Sequence, residues 1–201
     1  MTTALAINCT LKPSPAESSS ELIARHILDA LAEQGVTGDI VRAVDFDIRP
    51  GVERDMGDGD EWPALFERVA AADILVIATP TWLGHMSSVT QRVLERLDAE
   101  ISETDDAGRP GMLGKVAMCG VVGNEDGAHK IIADVFGALN DIGFTIPGQG
   151  NTYWNDEAMG GRDYKDLDSV PDPVDSATHA AARNAAHLAR LLSQNSFPPY
   201  E

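Results

Sequence analysis

The chain has 201 residues, of which 43% are hydrophobic and 23% charged, a composition that indicates one folded domain rather than a disordered segment. Its 32 acidic and 15 basic side chains give a formal net charge of -17, which repels nucleic-acid phosphates and anionic lipid headgroups and argues against nucleic acid and membrane as partners. Two cysteines are too few for a four-thiolate iron–sulfur site, and residues 1–11 lack the features of a signal peptide, so a cytoplasmic protein is expected.

The first part of the chain predicts strands alternating with helices. An apolar run at residues 4–9 predicts a strand, and a loop rich in Ser and Pro leads into a helix whose apolar residues recur at the 3.6-residue period until Gly35. Residues 39–44 predict the second strand. An irregular acidic stretch, residues 45–60, then precedes a helix at residues 63–71.

The same alternation continues to the end of the chain. Residues 73–79, with the sequence DILVIAT, form a continuous apolar run that predicts a strand buried on both faces. The elements predicted after it are a loop at 80–88 with a helix behind it, a strand at 115–122, a tight loop at 123–127, a helix at 128–142, a short fifth strand at 144–147 and an alanine-rich helix at about 176–192.

Such an order of elements predicts an α/β three-layer sandwich, in which helices cover both faces of a parallel sheet, as a single domain over residues 1–201. Five strand-helix units favour the strand order 2-1-3-4-5. In an open parallel sheet a ligand binds beyond the carboxyl ends of the strands, near the point where strand order reverses. The loops after the first, third and fourth strands are therefore expected to meet at a binding site.

The loop after the first strand, residues 9–20, ends where a helix begins, and free N–H groups and the helix dipole attract an anion there. Hydroxyl groups of Thr10 and of three consecutive serines can donate to a phosphate. The chain has no G-x-G-x-x-G or Walker sequence after this strand, so a mononucleotide such as FMN fits better than a dinucleotide. Ser18 and Glu21 also fit an S-x-x-E capping box, which would satisfy the helix without a ligand.

The other two loops offer features that suit a flat ring. Residues 79–88, T-P-T-W-L-G-H-M-S-S, supply an aromatic wall and backbone polar groups, although an exposed turn before a helix capped by Ser87 or Ser88 is the alternative. Residues 123–127, G-N-E-D-G, allow a close approach of the backbone because glycine tolerates a positive φ. Their alternative role is a turn in which Asn124 and Asp126 cap the next helix.

Two of these segments carry a family resemblance. PTWLGHMSSVTQRVLERLD resembles the P-T-Y/W-x-G-x-x-S segment of the flavodoxin-like NADPH-dependent FMN reductases, and GNEDGAHK is similar to their loop that approaches the isoalloxazine. The resemblance covers residues 5–153. Family members commonly have G-S-x-R where this chain has Cys9-Thr10-Leu11-Lys12, which keeps a hydroxyl and a positive charge.

The resemblance implies a flavodoxin-like fold, bound FMN, NADPH or NADH as electron donor, and a homodimer or homotetramer with the flavin near the subunit interface. No catalytic side chain is predicted because the chemistry takes place at FMN N5, and no metal ligands are predicted because the five histidines lack a metal-binding spacing. His85 and His129 lie near the proposed ring, and His85 either stabilises the reduced flavin or is a surface residue. The cofactor-binding residues expected from the resemblance are Thr10, Lys12, Ser18, Ser19 and Ser20 at the phosphate, Pro80, Thr81, Trp82, Leu83 and Gly84 at the ring, and Gly123, Asn124, Asp126 and Gly127 in the third loop.

The predicted function is transfer of hydride from NAD(P)H through FMN to a quinone, a free flavin or another small electrophile. Two alternatives stay open, namely a flavodoxin-type electron carrier between protein partners and a flavin-free interaction module. Residues 153–174, which include Trp154, Met159 and Tyr164, are expected to form a lid, a subunit contact or an ordinary surface excursion.

Overall fold

A central sheet organises the structure, a computed structural model that describes residues 1–157 and 160–200. Its strands are β1 (Thr3–Asn8), β2 (Thr37–Arg42), β3 (Ile74–Trp82), β4 (His85–Met86), β5 (Val116–Gly123) and β6 (Asn151–Asn155). The α-helices are α1 (Ser19–Glu33), α2 (Trp62–Ala71), α3 (Ser88–Leu97), α4 (Ala128–Asp141) and α5 (Asp172–Gln194).

Five strands pair in parallel in the order β2-β1-β3-β5-β6, while β4 folds back antiparallel on the end of β3. Without this short β4, the order is 2-1-3-4-5, so the predicted α/β topology is confirmed. All five carboxyl ends lie at one edge of the sheet, and the direction of chain progression reverses between β1 and β3. This edge is where a ligand site is expected.

Alternate residues of the strands feed two apolar layers. Leu75 and Ile77 of β3 pack with α2, α3 and α4, whereas Ile74 and Val76 pack with α1 and α5. All four side chains are buried, as predicted for a strand covered on both faces. The alanines of α5 are short enough to bring this helix close to α1 and the sheet; they are Ala181, Ala182, Ala185, Ala186 and Ala189.

The prediction of a fifth strand at residues 144–147 is wrong. Phe144 is buried in the core, but Thr145 makes only an isolated bridge to Val116. Pro147 has no N–H to give to a strand ladder, and its carbonyl accepts the N–H of Gly150 in a turn. The chain therefore turns before it joins the sheet as β6. This strand is half-buried, but its polar sequence NTYWN lacks the apolar run that predicts a strand.

Part of the region predicted as an excursion is thus regular structure. Residues 153–155 belong to β6, and α5 begins at Asp172 and extends to Gln194, beyond both predicted ends. Met159 lies outside the described residues.

A buried ion pair anchors the acidic stretch of residues 45–60. The Arg96 guanidinium donates to both carboxylate oxygens of Asp60, at 2.9 and 2.7 Å, and neither side chain is exposed. Arg96 also donates to the carbonyls of Arg49, Glu53 and Arg54. One side chain of α3 thereby fixes a long irregular loop.

Both cysteines are free and have no exposed surface. Burial raises the pKa of the Cys9 thiol to about 12, and that of Cys119 also lies above its ordinary value because of burial. These residues serve as small core side chains. Among the helices of residues 1–157 and 160–200, none has the length and apolar character required to cross a bilayer.

Candidate functional site

A cleft lies at the carboxyl edge of the sheet, above the point where strand order reverses, and encloses about 720 Å³ including its mouth. The loop after β1, the ends of β3 and β5 and the segment after β6 form its walls. Its lining residues are Thr10, Leu11, Lys12, Glu17, Ser18, Ser19, Ser20, Pro80, Thr81, Trp82, Val122, Gly123, Asn124, Asp163, Tyr164 and Lys165.

The loop after β1, residues 9–20, is the serine loop, and its hydroxyl groups differ in their hydrogen-bond partners. Ser18 Oγ accepts the N–H of Glu21 at 3.2 Å and caps α1, and Ser20 Oγ donates to Asn8 Oδ1 at 2.8 Å. Ser18 Oγ also lies 3.0 Å from Ser20 Oγ, so the protons of both hydroxyls have acceptors inside the protein. Thr10 Oγ1 and Ser19 Oγ accept backbone N–H groups, from Lys12 and Lys165 respectively, and donate to no acceptor among the described residues. Their protons are therefore available to a ligand.

The largely buried Arg42 balances negative charge at the start of α1. Its guanidinium donates to the carbonyls of Lys12 and Ala16 and pairs with the carboxylate of Glu21. Burial alone would raise the pKa of Glu21, but hydrogen bonds and charge from Arg42 and Arg25 outweigh burial, so the pKa is lowered. The charge of Glu21, in the first turn of α1, is thereby neutralised by two arginines.

The second predicted loop is a tight β-hairpin. Leu83 and Gly84 form its turn with φ values of 52° and 75°, the left-handed pair typical of a two-residue hairpin. Both N–H groups of this turn donate to the carboxylate of Glu125, at 2.9 and 3.2 Å. Trp82 is therefore held on a fixed backbone, where it lines the cleft while 53% of its surface stays exposed.

Ser87 caps α3, because its Oγ accepts the N–H of Thr90 and donates to the carbonyl of Cys9. The helix-cap interpretation of the second loop is thus correct for Ser87, and it coexists with a cleft wall formed by Trp82. The same hydroxyl thereby connects the segment after the hairpin to Cys9, the first residue of the serine loop.

The third loop packs on the hairpin through glycine. A Cβ atom on Gly127, whose φ is 140°, would lie 2.7 Å from Gly84 Cα. A Cβ on Gly123 would lie 2.8 Å from Thr81 Cβ. The absence of a side chain at Gly127 thus lets the backbone of the third loop pack against the hairpin turn. Gly127 is also the N-cap of α4, which lacks a side-chain cap, so the alternative in which Asn124 and Asp126 cap this helix is wrong.

Most predicted site residues come together at the cleft. Those that line it are Thr10, Lys12, Ser18, Ser19, Ser20, Pro80, Thr81, Trp82, Gly123 and Asn124. Those outside its lining are Leu83, Gly84, Asp126 and Gly127, which build the hairpin and the loop behind it. Contact between any of these residues and a flavin stays a prediction.

Sequence reasoning missed the wall that follows β6. Asp163, Tyr164 and Lys165 line the cleft, and Asn124 Nδ2 donates to Asp163 Oδ1 at 3.4 Å. The carboxyl ends of parallel strands converge at one edge, so a correct prediction of β6 would have located this wall. The last strand was predicted at residues 144–147 instead. Three further lining residues were missed as well: Leu11, Glu17 and Val122.

Two residues that line the cleft have a buried hydroxyl group without a protein partner among the described residues. These groups are Thr81 Oγ1 and the phenol of Tyr164, whose pKa burial raises to about 12, with the nearby charge of Asp175 adding to the effect. A buried hydroxyl without a partner is costly, and a polar ligand removes that cost.

The residues fit FMN. Hydroxyls, Lys12, Lys165 and the α1 start suit a phosphate. Pro80 and Trp82 suit an aromatic ring.

Neither histidine proposed near the ring lines the cleft. The exposed His85 has its Nδ1 2.7 Å from the carbonyl of Leu83, and His129 packs edge-on against Tyr153 with ring centres 5.2 Å apart. A role for His85 toward the flavin stays a prediction.

Comparison with known proteins agrees with this geometry. The sequence model of the family described as NADPH-dependent FMN reductase matches residues 2–158. The 8-demethyl-8-aminoriboflavin-5'-phosphate synthase of Streptomyces davaonensis is 31% identical over 206 residues, which cover 96% of this chain and 79% of that protein. The divalent metal cation transporter MntH of Mycobacterium bovis is 40% identical over 196 residues, which cover 94% of this chain but only 29% of that protein. This chain thus spans less than a third of the MntH relative.

Solved structures show the same fold. The crystal structure of RosB with the bound intermediate 8-demethyl-8-formylriboflavin-5'-phosphate aligns with a TM-score of 0.89 and 30% identity, covering 98% of this chain and 82% of that one. The apo form of the NADH:FMN oxidoreductase EmoB aligns with a TM-score of 0.67 at 17% identity, covering 98% and 92% of the two chains, and indicates the fold alone.

The family match takes in every loop of the cleft except the wall at residues 163–165. The cofactors predicted from the sequence, FMN with NADPH or NADH, are those of the matched family. The chain belongs to the NADPH-dependent FMN reductase family.

Proposed function

We propose that this chain takes hydride from NADPH or NADH onto bound FMN and passes the electrons to a small electrophile such as a quinone or a free flavin. The family establishes the coarser function, a flavin-dependent oxidoreductase. One observation supports the finer proposal, namely that the serine loop and the Trp82 hairpin line one cleft at the switch point of the sheet.

Side chains of the cleft divide between two tasks. Thr10, Ser19 and Lys12 would hold the phosphate beside the start of α1, while Pro80 and Trp82 would orient the ring. Bound FMN supplies the acceptance and release of hydride, and the protein supplies orientation and electrostatics. Trp82 lines the cleft with 53% of its surface exposed, so a nicotinamide and then an acceptor would approach bound FMN from solvent beside this ring.

The test is reconstitution of the purified chain with FMN, followed by NADPH and NADH oxidation with and without a quinone. We expect one FMN per chain and nicotinamide oxidation that depends on both FMN and the quinone. Bound FMN without nicotinamide oxidation would favour the electron carrier, and absence of FMN binding would favour the interaction module.

A second candidate function is chemistry on the flavin itself. The relatives at 30% and 31% identity are named for riboflavin-5'-phosphate derivatives altered at position 8, and they match nearly the whole of this chain. Mass spectrometry of the flavin recovered after incubation with FMN and an amine donor in air separates the two functions. Unchanged FMN supports the reductase, and a product altered at position 8 supports flavin modification.

Assembly into a homodimer or homotetramer and the identity of the acceptor are further parts of the proposal. The hairpin places Leu83, 88% exposed, next to the half-exposed Trp82, and such an apolar surface favours contact with a second copy. Light scattering of the FMN-loaded chain measures the assembly, and a monomer at micromolar concentration would contradict it.

A further inference from the structure

A cluster of metal-binding side chains lies between α1 and α5, outside the lining of the flavin cleft. The ligand atoms of His26, Asp175 and His179 all lie within 4.8 Å of one another. His26 Nε2 is 2.9 Å from Asp175 Oδ1, and His179 Nδ1 is 3.5 Å from the same oxygen. Asp175 and His179 share one side of α5 because they are four residues apart, and His26 reaches them from α1.

We propose that this cluster, the α1–α5 histidine cluster, binds one divalent transition-metal ion of the zinc class. Two imidazoles and one carboxylate are a donor set that Zn²⁺ prefers. Ligand atoms at roughly 2.0–2.2 Å from a tetrahedral ion lie about 3.3–3.6 Å apart, and the two separations from Asp175 Oδ1, 2.9 and 3.5 Å, are close to this range.

A partner of His179 supports this assignment. Its Nε2 lies 3.3 Å from Glu33 Oε2, on the side of the ring away from Asp175. Metal-binding imidazoles commonly donate their second N–H to a carboxylate, which fixes the ring and makes the other nitrogen a better ligand. With both imidazoles neutral, Asp175 and Glu33 together carry two negative charges, which a divalent cation neutralises.

The competitor for this site is a proton. His179 Nδ1 is also 2.9 Å from the carbonyl of Asp175, and that contact raises the pKa of His179, with the charges of Asp175 and Glu33 adding to the effect. Protonated His179 can donate from both ring nitrogens, so metal binding requires loss of that proton and a small rotation of the ring.

An ion has a route to the cluster. His26 is only partly buried and lines a surface groove of about 770 Å³ beside α1. Arg25 and Asp29 line the same groove with opposite charges, so the groove itself does not repel a cation. The nitrogen that faces Asp175, and so would bind the ion, is His26 Nε2.

The ion would clamp α1 to α5. Since α1 begins at Ser19 of the cleft and His26 lies about two turns further along, the clamp stabilises the helix that positions the serine loop. The expected effect is on stability, and the three ligands do not line the flavin cleft. This inference therefore does not depend on the proposed reaction.

Calorimetric titration of the chelator-treated, FMN-loaded chain with Zn²⁺ tests the proposal. We expect one ion per chain, a higher melting temperature with the ion, and binding that weakens as the pH falls, because a proton competes with the ion for His179. The substitutions His26→Gln, Asp175→Asn and His179→Gln should each weaken binding at least tenfold, and Glu33→Gln roughly tenfold to a hundredfold. The matched control, His187→Gln at an exposed position of the same helix, should bind as the unchanged chain does.

Cobalt provides a readout that does not depend on variants. Co²⁺ bound by two imidazoles and a carboxylate in a tetrahedral site gives an intense visible spectrum, whereas the hydrated ion gives a weak one. A weak spectrum with the unchanged chain would overturn the proposal, as would Zn²⁺ binding that survives all three ligand substitutions. Circular dichroism of each metal-free variant shows whether its loss of binding comes from the lost ligand or from unfolding.

Discussion

Thr10 shows how a single hydroxyl group becomes available for a ligand. Its oxygen accepts the N–H of Lys12, and its own O–H donates to no acceptor among the described residues, so that proton is available to a ligand. We expect Thr10→Val to weaken FMN binding about 10- to 100-fold, because a hydrogen bond to a charged group contributes about 1.5–3 kcal/mol. Quenching of flavin fluorescence during titration measures the affinity.

Thr10→Ser is the matched control, because it keeps the hydroxyl and should stay within a few-fold of the original affinity. Equal FMN affinity in Thr10→Val and the unchanged chain would show that Thr10 does not contact the phosphate.

Gly127 gives a second prediction for a single residue. Gly127→Ala places a methyl group against the Gly84 backbone at a φ of 140°, and we expect a loss of about 1–3 kcal/mol in the free energy of unfolding. Urea denaturation measures this loss.

Gly137→Ala, in α4 with open space around its Cα, is the control. It should gain up to about 1 kcal/mol because alanine favours the helix. A Gly127→Ala variant as stable as the unchanged chain would mean that the two loops separate easily.

The sequence predicted which types of residue gather at the cleft but not which hydrogen bonds each hydroxyl makes inside the folded chain. Ser18 and Ser20 were both expected at the phosphate, yet one caps α1 and the other binds Asn8. Asn8 belongs to a strand, and nothing in its spacing shows that its amide turns toward the serine loop. Such pairings depend on side-chain directions that exist only in the folded chain.

At the level of elements, prediction followed the strength of the apolar pattern. The run DILVIAT and the periodic helices were assigned correctly because burial on both faces of a sheet requires apolar residues at every position. The strand β6 was missed because it lies at an edge of the sheet, where polar residues such as Asn151 and Asn155 are tolerated. That error also hid the wall formed by residues 163–165.

The loop at residues 45–60 depends on one buried ion pair, and its stability should depend on pH. The hydrogen bonds from Arg96 hold the pKa of Asp60 well below its ordinary value, with backbone N–H groups of Met56 and Trp62 adding to the effect. A lowered pKa stabilises the folded chain above the unfolded value of about 3.9, and this stabilisation is lost as the pH falls toward the folded value.

We expect Asp60→Asn to lower the free energy of unfolding by about 3–5 kcal/mol, because it leaves the Arg96 charge buried without its partner. Denaturation at pH 7 and at pH 4 measures the effect, and the difference between variant and unchanged chain should shrink at still lower pH. The exposed Asp58→Asn is the control and should stay within about 0.5 kcal/mol. Equal stability of the Asp60 and Asp58 variants would contradict the role of the pair.

Over the whole molecule, the order of strands followed from counting strand-helix units and from the family resemblance, and it placed the cleft at the correct edge. The cluster of His26, Asp175 and His179 did not follow, because His26 and Asp175 are separated by 149 positions in sequence. Only the packing of the alanine-rich α5 against α1 brings them together. Local spacing among histidines carries no such information.

The net charge of -17 gives a prediction for the reaction rate. An acidic molecule repels an anionic nicotinamide, and salt screens that repulsion, with a Debye length of about 10 Å at 0.1 M. We therefore expect kcat/KM for NADPH to rise between low salt and about 0.2 M NaCl. A neutral quinone under saturating NADPH should show little change, and a kcat/KM for NADPH that falls with salt would indicate a local basic patch that attracts the nucleotide.

The placement of both thiols has a practical consequence. Cys9 and Cys119 have no solvent contact, so an alkylating reagent can reach them only when the sheet opens. The rate of their modification therefore measures how often the sheet opens. For the same reason, a cysteine introduced on the surface can carry a fluorescent label by itself, without removal of the natural pair.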